Sequence, residues 1–103
     1  VSWRIDFARI NGAALAVLPS LLARWLPQGR REGAEYVALN PTRGDRHLGS
    51  FRINLRTGRW ADFATGDRGG DPVSLAAYLF SLRQIDAAKN LGLLLGIECS
   101  HEQ

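Results

Sequence analysis

The chain has no methionine, one cysteine and one lysine among its 103 residues. The single cysteine, Cys99, has no partner within the chain, so a disulfide framework is excluded and a reducing compartment, the cytoplasm, is expected. No segment approaches the ~20 consecutive apolar residues of a membrane span, and the N-terminus lacks the basic-then-apolar layout of a secretory signal. A soluble protein with no membrane partner is expected. The missing methionine, even at position 1, points to a processed product or a piece of a larger polypeptide.

Residues for covalent chemistry are also scarce. His47 and His101 stand alone, Cys99 is near the C-terminal end, and no Ser/His/Asp spacing prepares a nucleophile. The glycines of 66–70 have neither the lysine of a Walker loop nor the dinucleotide fingerprint around them. Asp62, Asp67 and Asp71 are the one acidic set able in principle to hold magnesium, but Asp71 reads as a helix cap and Asp67 as a turn residue. The isolated domain is therefore not expected to be an enzyme, and no cofactor is expected.

What remains is a chain that is 46% hydrophobic, long enough for one small domain over 1–103. Its net charge is only +3, yet every basic side chain except Lys89 is arginine. Arginine presents a planar fork of donors that matches phosphate oxygens and can stack on bases. A genome rich in G and C biases codons the same way, so position carries more weight than count. Arg43, Arg46, Arg52, Arg56, Arg59 and Arg68 fall in one short span against only Asp45, Asp62 and Asp67. A local cationic excess of this kind is the electrostatic footprint of a phosphate-backbone partner.

Periodicity predicts an α+β fold, a small antiparallel sheet with helices contributed from both ends of the chain. Residues 1–10 read as a short strand or arm. Apolar spacing predicts helices over 11–17 and 18–25, with Asn11 as cap of the first and Pro19 forcing the break between them. The pair, within 10–26, reads as packing helices rather than a helix-turn-helix reader, because the second offers only Arg24 as a polar contact. Residues 27–33 read as a basic loop.

The sheet is expected within 35–64. A strand over 35–39 precedes a polar stretch, and then Phe51, Ile53 and Leu55 alternate with Arg52, Asn54 and Arg56 before Thr57-Gly58 turns the chain. Alternation predicts the apolar trio inside and Arg52, Asn54 and Arg56 in a row outside, with Arg59 across the turn. Of the aromatics on the return strand, Phe63 is expected buried and Trp60 partly exposed, where it can stack a base. Residues 66–70 read as a flexible loop beside which a phosphate can rest. Asp71-Pro72 is a strong helix start. A helical pair is expected within 71–96, its second member over 86–95, followed by a disordered tail from Glu98.

The succession Asn40-Pro41-Thr42-Arg43, Ser50-Phe51-Arg52-Ile53, Asp62-Phe63-Ala64-Thr65-Gly66 and Gly69-Gly70-Asp71 resembles the zinc-ribbon (CHC-type) finger of bacterial and phage or plasmid primases. That pattern runs Cys-Pro-x-His, Ser-Phe and a strand, Cys-Phe-x-Cys-Gly, then Gly-Asp and a helix. The resemblance covers 36–80, and the helices on either side lie mostly outside it. It implies a zinc-ribbon-like sheet that handles single-stranded template for a replication protein. At the four ligand positions, however, stand Asn40, Arg43, Asp62 and Thr65, which cannot form a thiolate and imidazole set, so a metal-free form is expected.

Structural zinc supplies on the order of 10 kcal/mol in small fingers. In its place an Arg43–Asp62 ion pair is expected, with Asn40 and Thr65 as hydrogen-bonding neighbours. If partly exposed, that pair adds only about 1 kcal/mol, leaving most of the stability to the helices. The expected function is a nucleic-acid-binding module, in which Arg52, Arg56 and Arg59 contact phosphates, Arg46 and Arg68 flank them, and Trp60 stacks. Single-stranded DNA and other domains of a replication protein are the expected partners. The alternative is a docking domain that lost DNA together with the metal and offers its leucine-rich helices to other proteins.

Overall fold

Asp6 opens the first helix by accepting the Arg9 N–H, so helix α1 (Phe7–Ala16) begins a turn earlier than predicted. Asn11 is inside it and does not cap it. Its Oδ1 instead accepts the backbone N–H of Val73 at 2.9 Å, fastening α1 to a segment 62 residues away. Pro19 does mark the break: helix α2 (Leu18–Trp25) carries it in the first turn, where its missing N–H costs nothing. The computed structural model describes residues 3–97 and 100–102.

Five strands follow the helices as an antiparallel meander: β2 (Arg30–Glu32), β3 (Glu35–Ala38), β4 (Phe51–Asn54), β5 (Trp60–Asp62) and β6 (Arg68–Gly69), hydrogen-bonded in that order. Two of them correct the sequence reading. Residues 30–32 form an edge strand whose side chains are all exposed, so no alternation marks it; Gly33, with φ +62°, makes the tight return to β3. Within 66–70, Arg68 and Gly69 pair with Ala61 and Trp60. Gly69 is the residue that permits this, since a Cβ there would run into the Trp60 indole and Ser74.

Helix α3 (Pro72–Phe80) starts where predicted. Asp71 accepts the Ser74 N–H at 2.8 Å and Ser74 Oγ accepts the Asp71 N–H at 3.3 Å, a reciprocal capping box with Pro72 in the first turn. Helix α4 (Gln84–Leu95) ends on Gly96 in the left-handed conformation. A separate two-stranded ribbon pairs β1 (Trp3–Ile5) with β7 (Ser100–Glu102), so residues 100–102 of the predicted tail are a strand. Glu98 and Cys99 lie outside the described residues.

The elements enclose two apolar clusters. One lies on the inner face of the sheet, where Leu18, Leu22 and Leu26 from α2 and its end, with Leu75 from α3, cover Tyr36, Ala38, Phe51, Ile53 and Trp60. The other joins all four helices through Ile10, Ala14, Leu21, Val73, Ala76, Ala87, Ala88 and Leu91. Helix α2 is wedged between them, and Trp25 packs against both. The helices therefore cover only one face of the sheet. The molecule is α+β, as the periodicity predicted, and among the described residues no helix is long and apolar enough to cross a membrane.

Candidate nucleic-acid interface

Three of the positions that the primase resemblance assigns to metal ligands meet at the end of β5. Arg43 donates to both carboxylate oxygens of Asp62, from Nε at 2.8 Å and Nη2 at 3.2 Å. Asn40 Nδ2 donates to Asp62 Oδ2 at 2.8 Å, and the Ala64 N–H donates to Oδ1 at 2.9 Å. Asp45 adds a second acidic partner 3.3 Å from Arg43. Thr65 differs from expectation: its Oγ1 accepts the Asp67 N–H within its own loop, and the cluster recruits Tyr78 in its stead. The Tyr78 hydroxyl receives hydrogen bonds from Asn40 Nδ2 and Thr42 Oγ1 and donates to Asp67 at 2.8 Å.

The pair is partly exposed, and the exposure is all on the arginine. Asp62 has no exposed surface, while Arg43 keeps 30% of its side chain in solvent. Arg43 holds the Asp62 carboxyl at about 2, against an opposing push from burial and with help from Asn40 and the Ala64 N–H. Burial loses because Arg43, Asn40 and the Ala64 N–H all donate to the carboxylate. Asp62, Asp67 and Asp71 are thus each engaged separately, with Arg43, Tyr78 and the α3 cap. Among the described residues no group of three or more His, Cys, Asp or Glu side chains is placed to hold a metal ion.

Burying Asp62 sets the direction of the whole return strand. With Asp62 inward, period two puts Trp60 inward as well and turns Arg59, Ala61 and Phe63 to the open face. The expected roles of the two aromatics are therefore exchanged. Trp60 is 5% exposed and stacks obliquely on Tyr78, with centroids 4.5 Å apart, while its Nε1 donates to Ser74 Oγ. Phe63 is 73% exposed, its ring turned to solvent. The parity of residues 59–63 was readable in the sequence; which parity faces the core was not.

The uncovered face of the sheet holds an open groove of about 650 Å³. Arg52, Arg59, Phe63 and Arg68 line it, with Ala61 among them. Cross-strand register places Val37, Arg52, Ala61 and Arg68 side by side across four strands. Arg52, expected to reach for phosphate, is committed within the protein. Its Nε donates to the Gly49 carbonyl, and Nη1 approaches Glu35 at 3.1 Å and Glu32 at 3.6 Å, so the side chain reaches across the strand that carries buried Val37. Sequence reading missed Glu32 because its strand looked like a loop, and Glu35 because its pairing with Arg52 depends on the register of two strands distant in sequence.

Arg59 and Arg68 are exposed, and their guanidinium groups have no partner among the described residues. Asn54 spends its Oδ1 on the N–H groups of Arg56 and Thr57, leaving its amide nitrogen as a further free donor in the groove. Strand β4 ends at Asn54, so Arg56 sits in the turn and does not extend a row with Arg52. Arg46, in the loop after Asn40, is exposed, and neither it nor Arg56 lines the groove. The α3 N-terminus next to the groove is already occupied by the Asp71 carboxylate, which leaves no vacancy for a phosphate there.

In comparisons with known proteins, no family model and no curated protein matches this chain. Its chemistry has to be read from the groove and the polar cluster themselves. The groove presents two unpaired guanidinium groups, an exposed aromatic ring and the Asn54 amide, groups whose chemistry suits anions and flat rings, beside the Glu35 carboxylate that pairs with Arg52.

Proposed function

We propose that this chain is a nucleic-acid-binding module, a zinc-free relative of the primase finger, that positions single-stranded template for other domains of a cytoplasmic replication protein. The observation carrying this reading is the pair of exposed, unpartnered arginines, Arg59 and Arg68, on an open groove of the one sheet face the helices leave uncovered. Unpaired guanidinium groups on a concave surface gain most from an anionic ligand, and a phosphate backbone offers one charge per nucleotide to both. The kinship with the finger is supported by the meeting of Asn40, Arg43 and Asp62 at one point, where a polar cluster does the cross-linking that zinc does in the metal form. The module carries out no reaction of its own.

The test is fluorescence anisotropy with a labelled single-stranded DNA oligonucleotide, titrated over a range of salt concentrations with a chelator present. Binding is expected to weaken steeply with salt, and the Arg59→Ala/Arg68→Ala double variant is expected to flatten the logarithmic slope by about 0.7 for each phosphate left without its arginine. Absence of binding at low salt refutes the reading.

A docking domain is the second reading, and one observation favours it. An apolar cleft of about 330 Å³ opens between α2, α3 and α4, lined by Trp25, Phe80, Leu82, Leu91 and Leu94. Phe80 and Leu94 are exposed there, and Leu93 is exposed nearby on the same helix. Such a surface suits a partner protein's apolar side chains.

A further inference from the structure

We infer that the groove accepts a tract of about four unpaired nucleotides laid along β5, with one base stacked on Phe63 and with Ala61 as the floor that admits the strand. This rests on the nucleic-acid reading above and specifies how that site selects its ligand.

The geometry follows from the strand. Arg59, Ala61 and Phe63 share the open face of one segment, so Phe63 and Arg59 stand at opposite ends of the groove with the small Ala61 between them. Residues 60–62 are strand, with Arg59 just before it and Phe63 opening the turn after it, so at ~3.3 Å per residue the ends stand at most ~13 Å apart. A stacked strand advances ~3.4 Å per nucleotide, so that distance corresponds to about four steps. Register sets Arg68 beside Ala61 on one flank and Arg52 on the other. Because Glu35 and Glu32 hold Arg52, the free charge lies on the Arg68 flank and at the Arg59 end. The phosphates therefore follow Arg68 and Arg59, and the base at the far end meets the Phe63 ring.

That ring separates an unpaired strand from a duplex. A base within a duplex is already stacked on both neighbours, and exposing its face costs a few kcal/mol, whereas an unpaired base offers its face freely. Phe63 is also the large apolar side chain in the groove that the fold leaves unused: it joins neither apolar cluster. Ala61 controls access, since register sets its small methyl group between Arg52 and Arg68. A leucine there fills the floor without touching the inner face of the sheet.

The experiment uses the whole chain and labelled oligothymidylates of about two, four and twelve nucleotides, with a duplex of the longest length as competitor. Wild type is compared with Phe63→Ala, Ala61→Leu and the Arg59→Ala/Arg68→Ala double variant, each checked for native circular dichroism. Affinity is expected to rise sharply between two and four nucleotides, with the duplex a poor competitor. Phe63→Ala is expected to lose roughly five- to 150-fold in affinity, the range for one stacked base. Ala61→Leu is expected to lose at least as much. Phe63 is exposed, so its variant reports on binding even if Ala61→Leu does not fold.

If Phe63→Ala binds like wild type, or the duplex competes equally, while the double arginine variant is impaired, the stacking inference is overturned and the nucleic-acid reading survives. If wild type binds neither form at low salt, both fall.

Discussion

Replacing Asp62 by asparagine tests whether a buried ion pair has taken over the structural role of a metal. The variant keeps the side-chain shape but turns half of an acceptor into a donor. One orientation of the new amide faces its NH₂ toward Arg43 Nε and Asn40 Nδ2; the other faces it toward Arg43 Nη2 and the Ala64 N–H. Donors oppose donors either way. A carboxyl lowered from 3.8 to about 2 on folding corresponds to about 2 kcal/mol of stability. Solvent reaching the exposed side of Arg43 trims this to between roughly 1 and 2 kcal/mol. That is below the ~3–5 kcal/mol for breaking a fully enclosed pair, because Arg43 can still turn to Asp45.

The sign with pH follows from the lowered value. The folded state binds the Asp62 proton less readily than the unfolded chain, so the contribution is complete above 3.8 and disappears as pH falls toward about 2. Urea unfolding of wild type and Asp62→Asn at a series of pH values from about 7 to 2 is the assay. The gap between them is expected to be widest near neutral pH and to narrow by most of its size in acid. Asp86→Asn is the control, because Asp86 pairs with Arg83 at the surface and its loss should cost much less. A gap below ~0.5 kcal/mol, or one that does not change with pH, refutes the claim that this pair replaces the metal.

Tyr78→Phe removes the hydroxyl shared by Asn40, Thr42 and Asp67 while preserving ring contacts with Trp60 and Phe51; a loss of about 1–2 kcal/mol is expected in denaturant unfolding, with little change in oligonucleotide affinity. Gly69→Ala should cost about 1–3 kcal/mol, because the added methyl meets the Trp60 indole and Ser74; thermal melting checks it, and a neutral result means β6 moves aside freely. Phe63→Ala is expected to leave stability within about 0.5 kcal/mol of wild type, since the ring is exposed, so any binding defect it shows comes from the groove. Adding zinc or a chelator should leave the melting temperature unchanged; a clear rise with zinc would reveal a donor set outside the described residues.

Local rules written in short segments were legible. Pro19 split two helices, Asp71-Pro72 opened a third, Gly96 closed the fourth, and the alternation from Phe51 to Asn54 gave both the strand and its buried face. Each depends on the chain's own neighbours: a missing N–H, a side chain one turn away, a positive φ, a period of two. The ion pair between Arg43 and Asp62 was also anticipated, through the finger's pattern rather than through any local rule.

The open face of the sheet was decided elsewhere. A reading by polarity alone expects a charged Asp62 near water and a bulky Phe63 inside, yet Arg43 and Asn40, distant in sequence, supply enough hydrogen bonds to bury the carboxylate. That single exchange turned Trp60 in and Phe63 out. Arg52 lines the groove, but its guanidinium was likewise taken up by Glu35 and Glu32, one on a strand the sequence disguised as a loop. What the sequence by itself determined was the break at Pro19, the start at Asp71-Pro72, the stop at Gly96 and the strand from Phe51, because each is settled by a few neighbouring residues. The short strands 30–32, 68–69 and 100–102 carry no such local mark and exist through their pairing partners. Only tertiary structure decided which arginines stay free and which aromatic meets solvent, because those choices depend on partners that the sheet brings together from across the chain.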